Sequence, residues 1–484
     1  MNHRENNLHE PNHFDTSGFL FFVRYLFIFS VLYFGASTLS SVGFETYYMR
    51  GVKATVLQSQ KQVEKLEVTL QARKNELKKL EFIQKNTLQT RTIHAKTIES
   101  EIPVTGKFIA TDLDQMKLHL YEDGTKLKEY SIVSKGRPGS EWETPSGAYT
   151  ILLKSRNHFS SIGEVYMPYS MQFYGNFFIH GWPYYEGGTP VPEGFSGGCI
   201  RLTTEDAKEI FEFAEKGTSL FVYEDRNQEN SSLSHAYLKN ISAPEVSAAS
   251  YIVADIETGE VFLEKESSAI LPIASVTKLM TAVVANEAIG VNRILTVTRD
   301  AVNTHGDTGN LKQGEAYTVR ELLYPLLMES SNDAARVLST FYAEGHFIEL
   351  MNKKAEALGM QDTTFTDSSG LSPGNHSSVH DLFFLAEYIA HKKPFVLGIS
   401  RTPIKKHETN LTAHEWQNFN IFSADPKFVG GKTGHTDAAK DTMLTVFKRP
   451  IGDTDHVITI IVLGSDDREK DVRALLDWFE EITS

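Results

Sequence analysis

The chain has 484 residues, of which 41% are hydrophobic and 11% aromatic. At about 150 residues per domain, this length corresponds to about three units, with enough apolar residues to bury real cores. The formal net charge of -14 argues against a nucleic-acid partner, because phosphate binding requires clustered Lys and Arg.

The amino-terminal region contains an uncharged run, YLFIFSVLYFGASTLSSVGF, at positions 25–44. As a helix rising about 1.5 Å per residue, it covers a hydrocarbon core of about 30 Å. We predict an uncleaved single-pass anchor over residues 19–44 behind a cytoplasmic tail of residues 1–18. A cleaved signal peptide is the alternative, because small residues lie near Ala36, but its apolar region would be unusually long and the preceding tail is not basic.

A heptad-like pattern follows the apolar run in a stretch rich in Lys, Glu and Gln. The apolar positions are Val63, Leu66, Leu70, Leu77 and Leu80. This spacing predicts a helical, coiled-coil stalk over residues 50–98, which is compatible with a homo-oligomer. A single solvated helix is the alternative, because three heptads are marginal for association.

From about Lys107 the periodicity changes to two. The segment KFIATDLDQMKLHLYEDGTKLKEYSIVS predicts two strands joined at Asp123-Gly124, and a helix and the strand SLFVYED follow. These elements define a β-rich domain over residues 103–224. A polar linker at 225–245 then leads to a second globular domain over residues 246–484, which opens with the hairpin SYIVADIETGEVFLEKE and closes with the helix KDVRALLDWFEEI.

The single cysteine of the chain, Cys199, lies in the glycine-rich segment EGFSGGCIRL. A free thiol needs a nearby base or cation to become a competent nucleophile. His180 is the candidate base, because it ends the apolar strand MQFYGNFFIHGW just before a glycine turn. A small buried core residue is the alternative interpretation of a lone cysteine.

These residues resemble the L,D-transpeptidase catalytic domain over about residues 103–224, through H-G, S-x-G-C-I-R-L and TPSGAYTI. The resemblance implies a mostly-β sandwich in which Cys199 is the acylated nucleophile and His180 its base. Ser196 and Arg201 would support the donor peptide. The common pattern of the family is S-H-G-C, and this chain has Gly197 in place of that histidine.

The second domain carries a different set of nucleophile motifs. Ser275 and Lys278 lie at i and i+3 near the start of a predicted helix, so that hydroxyl and amine share one face. An N-cap serine beside a surface lysine is the alternative for this pair alone. Ser330-Ser331-Asn332 and then Lys432-Thr433-Gly434 follow in order, and such a series is not expected by chance.

This region resembles the low-molecular-mass penicillin-binding D-alanyl-D-alanine carboxypeptidases over about residues 246–484. The resemblance implies an α/β serine D,D-peptidase fold of the β-lactamase type with a helical subdomain. It makes Ser275 the nucleophile, Lys278 its base and Ser330 a proton relay. The residues implied in substrate binding are Asn332, Lys432, Thr433, Gly434 and His435, with the amides of Ser275 and His435 as the oxyanion hole.

A penicillin-hydrolysing enzyme shares these motifs and is the nearest alternative. Class A β-lactamases deacylate with a glutamate in an E-x-x-x-N loop, and no glutamate between the second and third motifs of this chain has Asn four residues later. His376 and His380 are four apart but lack the intervening glutamate of a zinc peptidase, so no metal or other cofactor is expected.

Together the two resemblances imply a bifunctional enzyme of the bacterial cell wall. Its partners would be peptidoglycan stem peptides, with β-lactam antibiotics as inhibitors. It would be held in the cytoplasmic membrane with its catalytic domains in the periplasm or cell-wall space. The alternatives are an active carboxypeptidase with a non-catalytic, wall-binding first domain, and a first domain that hydrolyses or exchanges the fourth residue of the stem.

Overall fold

The computed structural model describes residues 73–74, 101–224, 241–306 and 309–484. The predicted tail at 1–18, the anchor at 19–44, nearly all of the stalk at 50–98 and most of the linker at 225–245 lie outside the described residues. Within the described part, no helix combines the length and apolar character needed to cross a bilayer. The chain divides into compact units of residues 1–82 and 83–484, and both predicted globular domains belong to the second.

The first globular domain consists of two β-sheets and one helix. Its strands are β1 Lys107–Asp112, β2 Lys117–Glu122, β3 Thr125–Ser131, β4 Gly147–Thr150, β5 Leu153–Ser160, β6 Val165–Tyr174, β7 Phe177–His180, β8 Ile200–Arg201 and β9 Ser219–Tyr223. One sheet has the order β3-β2-β1-β9-β4 and the other β5-β6-β7-β8. Helix α1, Thr204–Phe213, is capped by the Thr203 hydroxyl, which accepts from the Asp206 amide.

The prediction of two strands before residue 134 is wrong, because the structure has three. The turn at Asp123-Gly124 is present between β2 and β3, but an additional turn separates β1 from β2. The Asp112 carboxylate makes this turn by accepting from the amides of Asp114 and Gln115 at 3.0 and 2.9 Å. A side chain that satisfies two consecutive amides competes with the strand ladder and ends the strand.

The second globular domain has a five-stranded antiparallel sheet of order β11-β10-β20-β19-β18 and three small two-stranded sheets, β12-β15, β13-β14 and β16-β17. The strands are β10 Ser250–Asp255, β11 Val261–Lys265, β12 Leu271–Pro272, β13 Ile294–Thr296, β14 Ala316–Thr318, β15 His376–Ser377, β16 Ile404–Glu408, β17 Ala413–Gln417, β18 Phe428–Thr436, β19 Lys440–Ile451 and β20 Thr454–Ser465. The helices are α2 Thr277–Val284, α3 Arg299–Val302, α4 Val319–Met328, α5 Asn332–Ser339, α6 Glu344–Ala357, α7 Val379–Lys392, α8 Pro394–Ser400 and α9 Arg468–Thr483.

Strand β10 explains the layering of this domain. All six of its residues are buried, as expected for a continuous apolar run in a strand covered on both faces. Ile252 points into the apolar cluster that contains α2, whereas Val253 points into the cluster formed with α9. Alternation along the strand therefore assigns one helical layer to each face of the sheet.

Helix α2 is part of a longer helical segment. A 3₁₀ turn at Ala274–Val276 precedes it and a π-helical turn at Ala285–Ile289 follows it without a break. All eight residues of α2 are buried. This segment runs from the predicted serine nucleophile to the boundary with the first domain.

The two globular domains share a continuous buried interface. Tyr149 and Tyr174 of the first domain belong to the same apolar cluster as Met351 of the second. At the centre of the interface, Glu287 has no exposed side-chain surface and lies 3.0 Å from the Lys354 ammonium. Lys354 also donates to the Tyr149 hydroxyl at 3.0 Å. Apolar packing and buried charge together fix one domain against the other.

Candidate active sites

The predicted serine nucleophile and its base are in contact. The Lys278 Nζ lies 2.9 Å from the Ser275 Oγ, and it also donates to the Asn332 Oδ1 at 2.7 Å and the Ser369 carbonyl at 2.6 Å. Lys278 is 0% exposed. Burial lowers the pKa of Lys278 to about 7, although the Asp367 carboxylate opposes the shift. An amine with this pKa can exchange protons with the adjacent hydroxyl near neutral pH.

Of the two residues predicted to act in the motif Ser330-Ser331-Asn332, only Asn332 contacts Lys278. Asn332 begins α5, and its Nδ2 donates to the His305 carbonyl at 2.6 Å, which fixes the side-chain oxygen toward Lys278. Ser330 lies in the turn between α4 and α5 with a φ of 63°. Among the described residues, no hydrogen bond joins the Ser330 hydroxyl to Ser275 or Lys278. Its predicted relay role stays a prediction.

The third motif lies on β18 directly behind the nucleophile. A Cβ built on Gly434 would stand 2.8 Å from the Ser275 amide nitrogen, so only glycine permits this approach. Burial first, and then the charges of Lys278 and Arg468, hold the pKa of Lys432 well below its usual range. The Lys432 Nζ donates to the carbonyl of Thr433 at 2.7 Å. A bound carboxylate would relieve the mutual repulsion of these cations.

His435, predicted to provide an oxyanion-hole amide, follows Gly434 on the same strand. Its side chain is 63% exposed, and its Nδ1 lies 2.8 Å from the Asp441 carboxylate. Arg468 donates to the same carboxylate at 2.7 Å and to the Gly434 carbonyl at 3.1 Å. These bonds join the end of β18 to β19 and to the start of α9.

A loop that sequence reasoning missed completes the serine site. The Asp367 Oδ1 accepts from the amides of Ser369 and Gly370, both at 2.6 Å. Gly370 has a φ of +87°, and a Cβ there would stand 1.9 Å from the Ala274 carbonyl oxygen. The segment Asp-Ser-Ser-Gly has the composition of a turn, but nothing local in the sequence connects it to Ser275.

An open cleft adjoins this site. Its volume is about 520 Å³, and Asn332 and Ser369, which both contact Lys278, lie in its wall. The cleft therefore leads from solvent to the residues around the predicted base.

The predicted cysteine nucleophile and its base lie on neighbouring strands. Strands β7 and β8 are parallel, and His180 pairs with Arg201. Because residues two apart on a strand share a face, Cys199 is on the same side of the sheet as Arg201 and His180. Both Cys199 and His180 line a cavity of about 110 Å³. The cysteine sulfur lies 3.7 Å from the Asn176 carbonyl oxygen, and no hydrogen bond joins it to His180 among the described residues.

The tautomer of His180 follows from its backbone contact. Its Nδ1 lies 2.6 Å from the Gly181 carbonyl, which can only accept, so Nδ1 carries the hydrogen and Nε2 the lone pair. Burial lowers the pKa of His180 to about 4. Desolvation of the sulfur raises the pKa of Cys199 to about 11, although the residue as a whole is only partly buried. At neutral pH the two groups are therefore a neutral thiol and a neutral imidazole.

Three further residues of this segment have distinct environments. The Ser196 hydroxyl donates to the Cys199 carbonyl at 2.5 Å and accepts from the Gly198 amide at 3.0 Å, so it organises the loop. The Arg201 Nε is buried without a hydrogen-bond partner among the described residues. A Cβ on Gly197 would meet nothing within 4 Å, which leaves open space where the common pattern has histidine.

Part of the lining of this cavity around Cys199 is a second feature that the sequence did not predict. It is formed by Asn286, Glu287 and Gly290 of the second globular domain. The cysteine cavity is thus enclosed by both domains.

Comparison with known proteins assigns both regions to families. Residues 238–466 match the D-alanyl-D-alanine carboxypeptidase family, and residues 106–222 match the L,D-transpeptidase catalytic domain. The predicted order of a β-rich domain followed by an α/β domain is confirmed.

Three relatives align with the second region. The D-alanyl-D-alanine carboxypeptidase DacD of Escherichia coli is 32% identical over 255 residues, covering 49% of this chain and 64% of that protein. The carboxypeptidase DacB2 of Mycobacterium tuberculosis is 32% identical over 212 residues, covering 42% of this chain and 72% of that protein. A D-alanyl-D-alanine endopeptidase of Pseudomonas aeruginosa is 29% identical over 247 residues, covering 49% and 78%. This chain therefore belongs to the D-alanyl-D-alanine carboxypeptidase family and carries an L,D-transpeptidase catalytic domain ahead of that region.

Proposed function

We propose that this chain is a bifunctional peptidoglycan-modifying enzyme. Its serine site would remove the terminal D-alanine of stem pentapeptides, and its cysteine site would use the resulting tetrapeptide as an acyl donor for cross-linking or exchange. The observation that carries the proposal is the contact of 2.9 Å between the buried Lys278 Nζ and the Ser275 Oγ, within a chain that also has Cys199 and His180 in one cavity.

At the serine site, the three hydrogen bonds of Lys278 match the three hydrogens of an ammonium group. Neutral Lys278 has a lone pair that can take the proton of Ser275, whose oxygen then attacks the carbonyl of the penultimate D-alanine. The amides of Ser275 and His435 would stabilise the oxyanion, and Lys432 with Thr433 would bind the terminal carboxylate. The proton taken up by Lys278 is then returned to the departing nitrogen, so that D-alanine leaves as an amine and an ester remains, which water hydrolyses.

At the cysteine site, attack by the Cys199 sulfur on the carbonyl of the third stem residue is coupled to proton transfer to the His180 Nε2. The imidazolium then protonates the departing D-alanine, and an amine, or water, captures the thioester. Because the thiol has a raised pKa, deprotonation is expected during attack and not before it. Gly197 contributes no second imidazole to this chemistry.

The order of the two reactions supports their presence in one chain. The product of the serine reaction is the donor for the cysteine reaction, and tethering raises the concentration of the second site near newly trimmed stems. We further propose that residues 19–44 anchor the chain in the cytoplasmic membrane, with the catalytic domains on the cell-wall side. Self-association through the stalk belongs to the same proposal.

The test is mass spectrometry of purified muropeptides after incubation with the wild type and with the Ser275→Ala and Cys199→Ala variants. Ser275→Ala is expected to leave pentapeptides untrimmed while supplied tetrapeptides are still cross-linked. Cys199→Ala is expected to trim pentapeptides without forming new cross-links or exchange products. Unchanged activity of Ser275→Ala on both substrates would refute the coupling.

Two alternative functions have distinct results in the same experiment. Because one relative is named an endopeptidase, cleavage of existing cross-links that depends on Ser275 would identify that activity. A wall-binding, non-catalytic first domain would give a carbapenem adduct at Ser275 and none at Cys199.

A further inference from the structure

The helical segment at 274–289 reaches both candidate sites. It begins beside Ser275 and ends in the π-helical turn Ala285–Ile289. Asn286 and Glu287 of that turn, and Gly290 just after it, line the cavity that contains Cys199. A π-helical turn inside an α-helix is uncommon and is often found at functional sites.

The same turn holds the segment that touches the cysteine sulfur. The Asn176 side chain donates to the Ala288 carbonyl, and the Asn176 carbonyl lies 3.7 Å from the Cys199 sulfur. The Asn286 Nδ2 donates in turn to the Glu141 carbonyl at 3.2 Å. The carboxypeptidase domain thus forms part of the lining of the cysteine cavity and also makes hydrogen bonds with Asn176 and Glu141, two first-domain residues of the same lining.

Asn286 has a second polar atom that this packing leaves unused. The residue is 4% exposed, and its Oδ1 is buried without a hydrogen-bond partner among the described residues. Buried amide oxygens are nearly always paired, so an unpaired one in a residue that lines a cavity indicates a missing donor. Arg201 lines the same cavity, and its Nε is a buried donor without an acceptor among the described residues.

An unpaired acceptor and an unpaired donor, in two residues that line one cavity, complement the N–H and C=O groups of a peptide. We propose that Asn286 is a substrate-binding residue of the L,D-transpeptidase site, accepting a hydrogen bond from a backbone N–H of the donor stem while Arg201 donates to a carbonyl of the same stem. This inference rests on the proposed transpeptidase function. It makes the cysteine site a composite of both domains, complete only when they are docked.

The test measures coupling between Asn286 and one amide of the substrate, using the full chain. Tetrapeptide donors, each N-methylated at a single backbone amide, are compared with the parent peptide by the rate of Cys199 acylation in intact-mass spectrometry. With the wild type, methylation of the engaged amide is expected to lower the rate about tenfold, the effect of one lost hydrogen bond. With Asn286→Ala, the parent peptide is slowed about tenfold and the same methylation has no further effect.

Asn286→Asp is the matched control for a merely structural role. It keeps the accepting oxygen but loses the Nδ2 donor to the Glu141 carbonyl. Retention of the coupling in Asn286→Asp, with normal turnover at the serine site in every variant, would support the inference. Equal slowing by methylation in wild type and Asn286→Ala would overturn it while leaving the transpeptidase function intact. Failure of the wild type to be acylated by any tetrapeptide would instead overturn the proposed function, and this inference with it.

Discussion

Replacement of Glu287 by glutamine tests the buried charge cluster at the domain interface. The Glu287 carboxylate lies 3.0 Å from the Lys354 ammonium and 3.7 Å from that of Lys393, and its side chain is fully buried. At an effective dielectric constant of about 20, each contact corresponds to about 5 kcal/mol of Coulomb attraction. Glutamine would leave the buried Lys354 without its counter-charge and would leave Lys393 with Glu143 as its remaining carboxylate.

The expected loss is smaller than that sum, because a neutral amide costs less to bury than a carboxylate. Breaking a buried ion pair by removing one partner typically destabilises by about 3–5 kcal/mol. For domains of this size, about 1 kcal/mol shifts the melting temperature by about 2–4 °C, so Glu287→Gln is expected to lower it by about 6–20 °C. Differential scanning calorimetry of the full chain measures this shift.

Two further variants make the result specific. Glu349→Gln removes a carboxylate that is 54% exposed and 2.7 Å from Lys353, and such a surface pair is expected to change the stability by less than about 1 kcal/mol. Lys354→Met added to Glu287→Gln removes the uncompensated charge and is expected to restore part of the loss. A melting temperature of Glu287→Gln within about 2 °C of the wild type would refute the reasoning.

The remaining predictions concern the two sites. If neutral Lys278 is the base as proposed, with a pKa of about 7, serine acylation should rise with pH through 7. If His180, with a pKa of about 4, is the base for Cys199, cysteine acylation should persist down to a pH of about 5. A common midpoint in parallel mass-spectrometric profiles would contradict this assignment. Gly197→His should retain the fold and the serine turnover, which does not depend on Cys199. Gly198→Ala, whose Cβ would stand 2.2 Å from an aromatic ring, should abolish cysteine acylation. Equal rates of cysteine acylation in the two variants would count against the cavity geometry. Gly370→Ala should abolish fluorescent-penicillin labelling at the serine site, because its Cβ would stand 1.9 Å from a backbone oxygen, and normal labelling would show that this loop is not required.

The sequence predicted the chemistry of each site better than its surroundings. Ser275 and Lys278 are one helical turn apart, so their contact follows from local geometry. The approach of Gly434 to the Ser275 amide required the ordered series of motifs, since no local rule joins positions so far apart. The Asp367 loop was missed because its turn composition is common and its partner is distant in sequence.

The interface was not predictable from pattern, for a physical reason. Lys354 lies in the segment NKKAEA, which has the composition of a solvated helix face, yet the residue is fully buried. A lysine is buried when a counter-charge from elsewhere in the chain meets it, and Glu287 does so here. The extra turn between β1 and β2 escaped prediction because the run KFIATDLDQMKLHL keeps apolar alternation through a carboxylate that ends the strand.

The unbroken helical segment from Ala274 to Ile289 has a consequence for substrate traffic. A helix rises about 1.5 Å per residue, so the eleven positions from Ser275 to Asn286 correspond to about 16 Å along a rigid rod. The segment therefore fixes the spacing between Ser275 at the serine site and Asn286 in the lining of the cysteine cavity. If the chain is bifunctional as proposed, a trimmed stem would have to leave the first centre and re-enter at the second, or a neighbouring strand of the polymer would have to supply it.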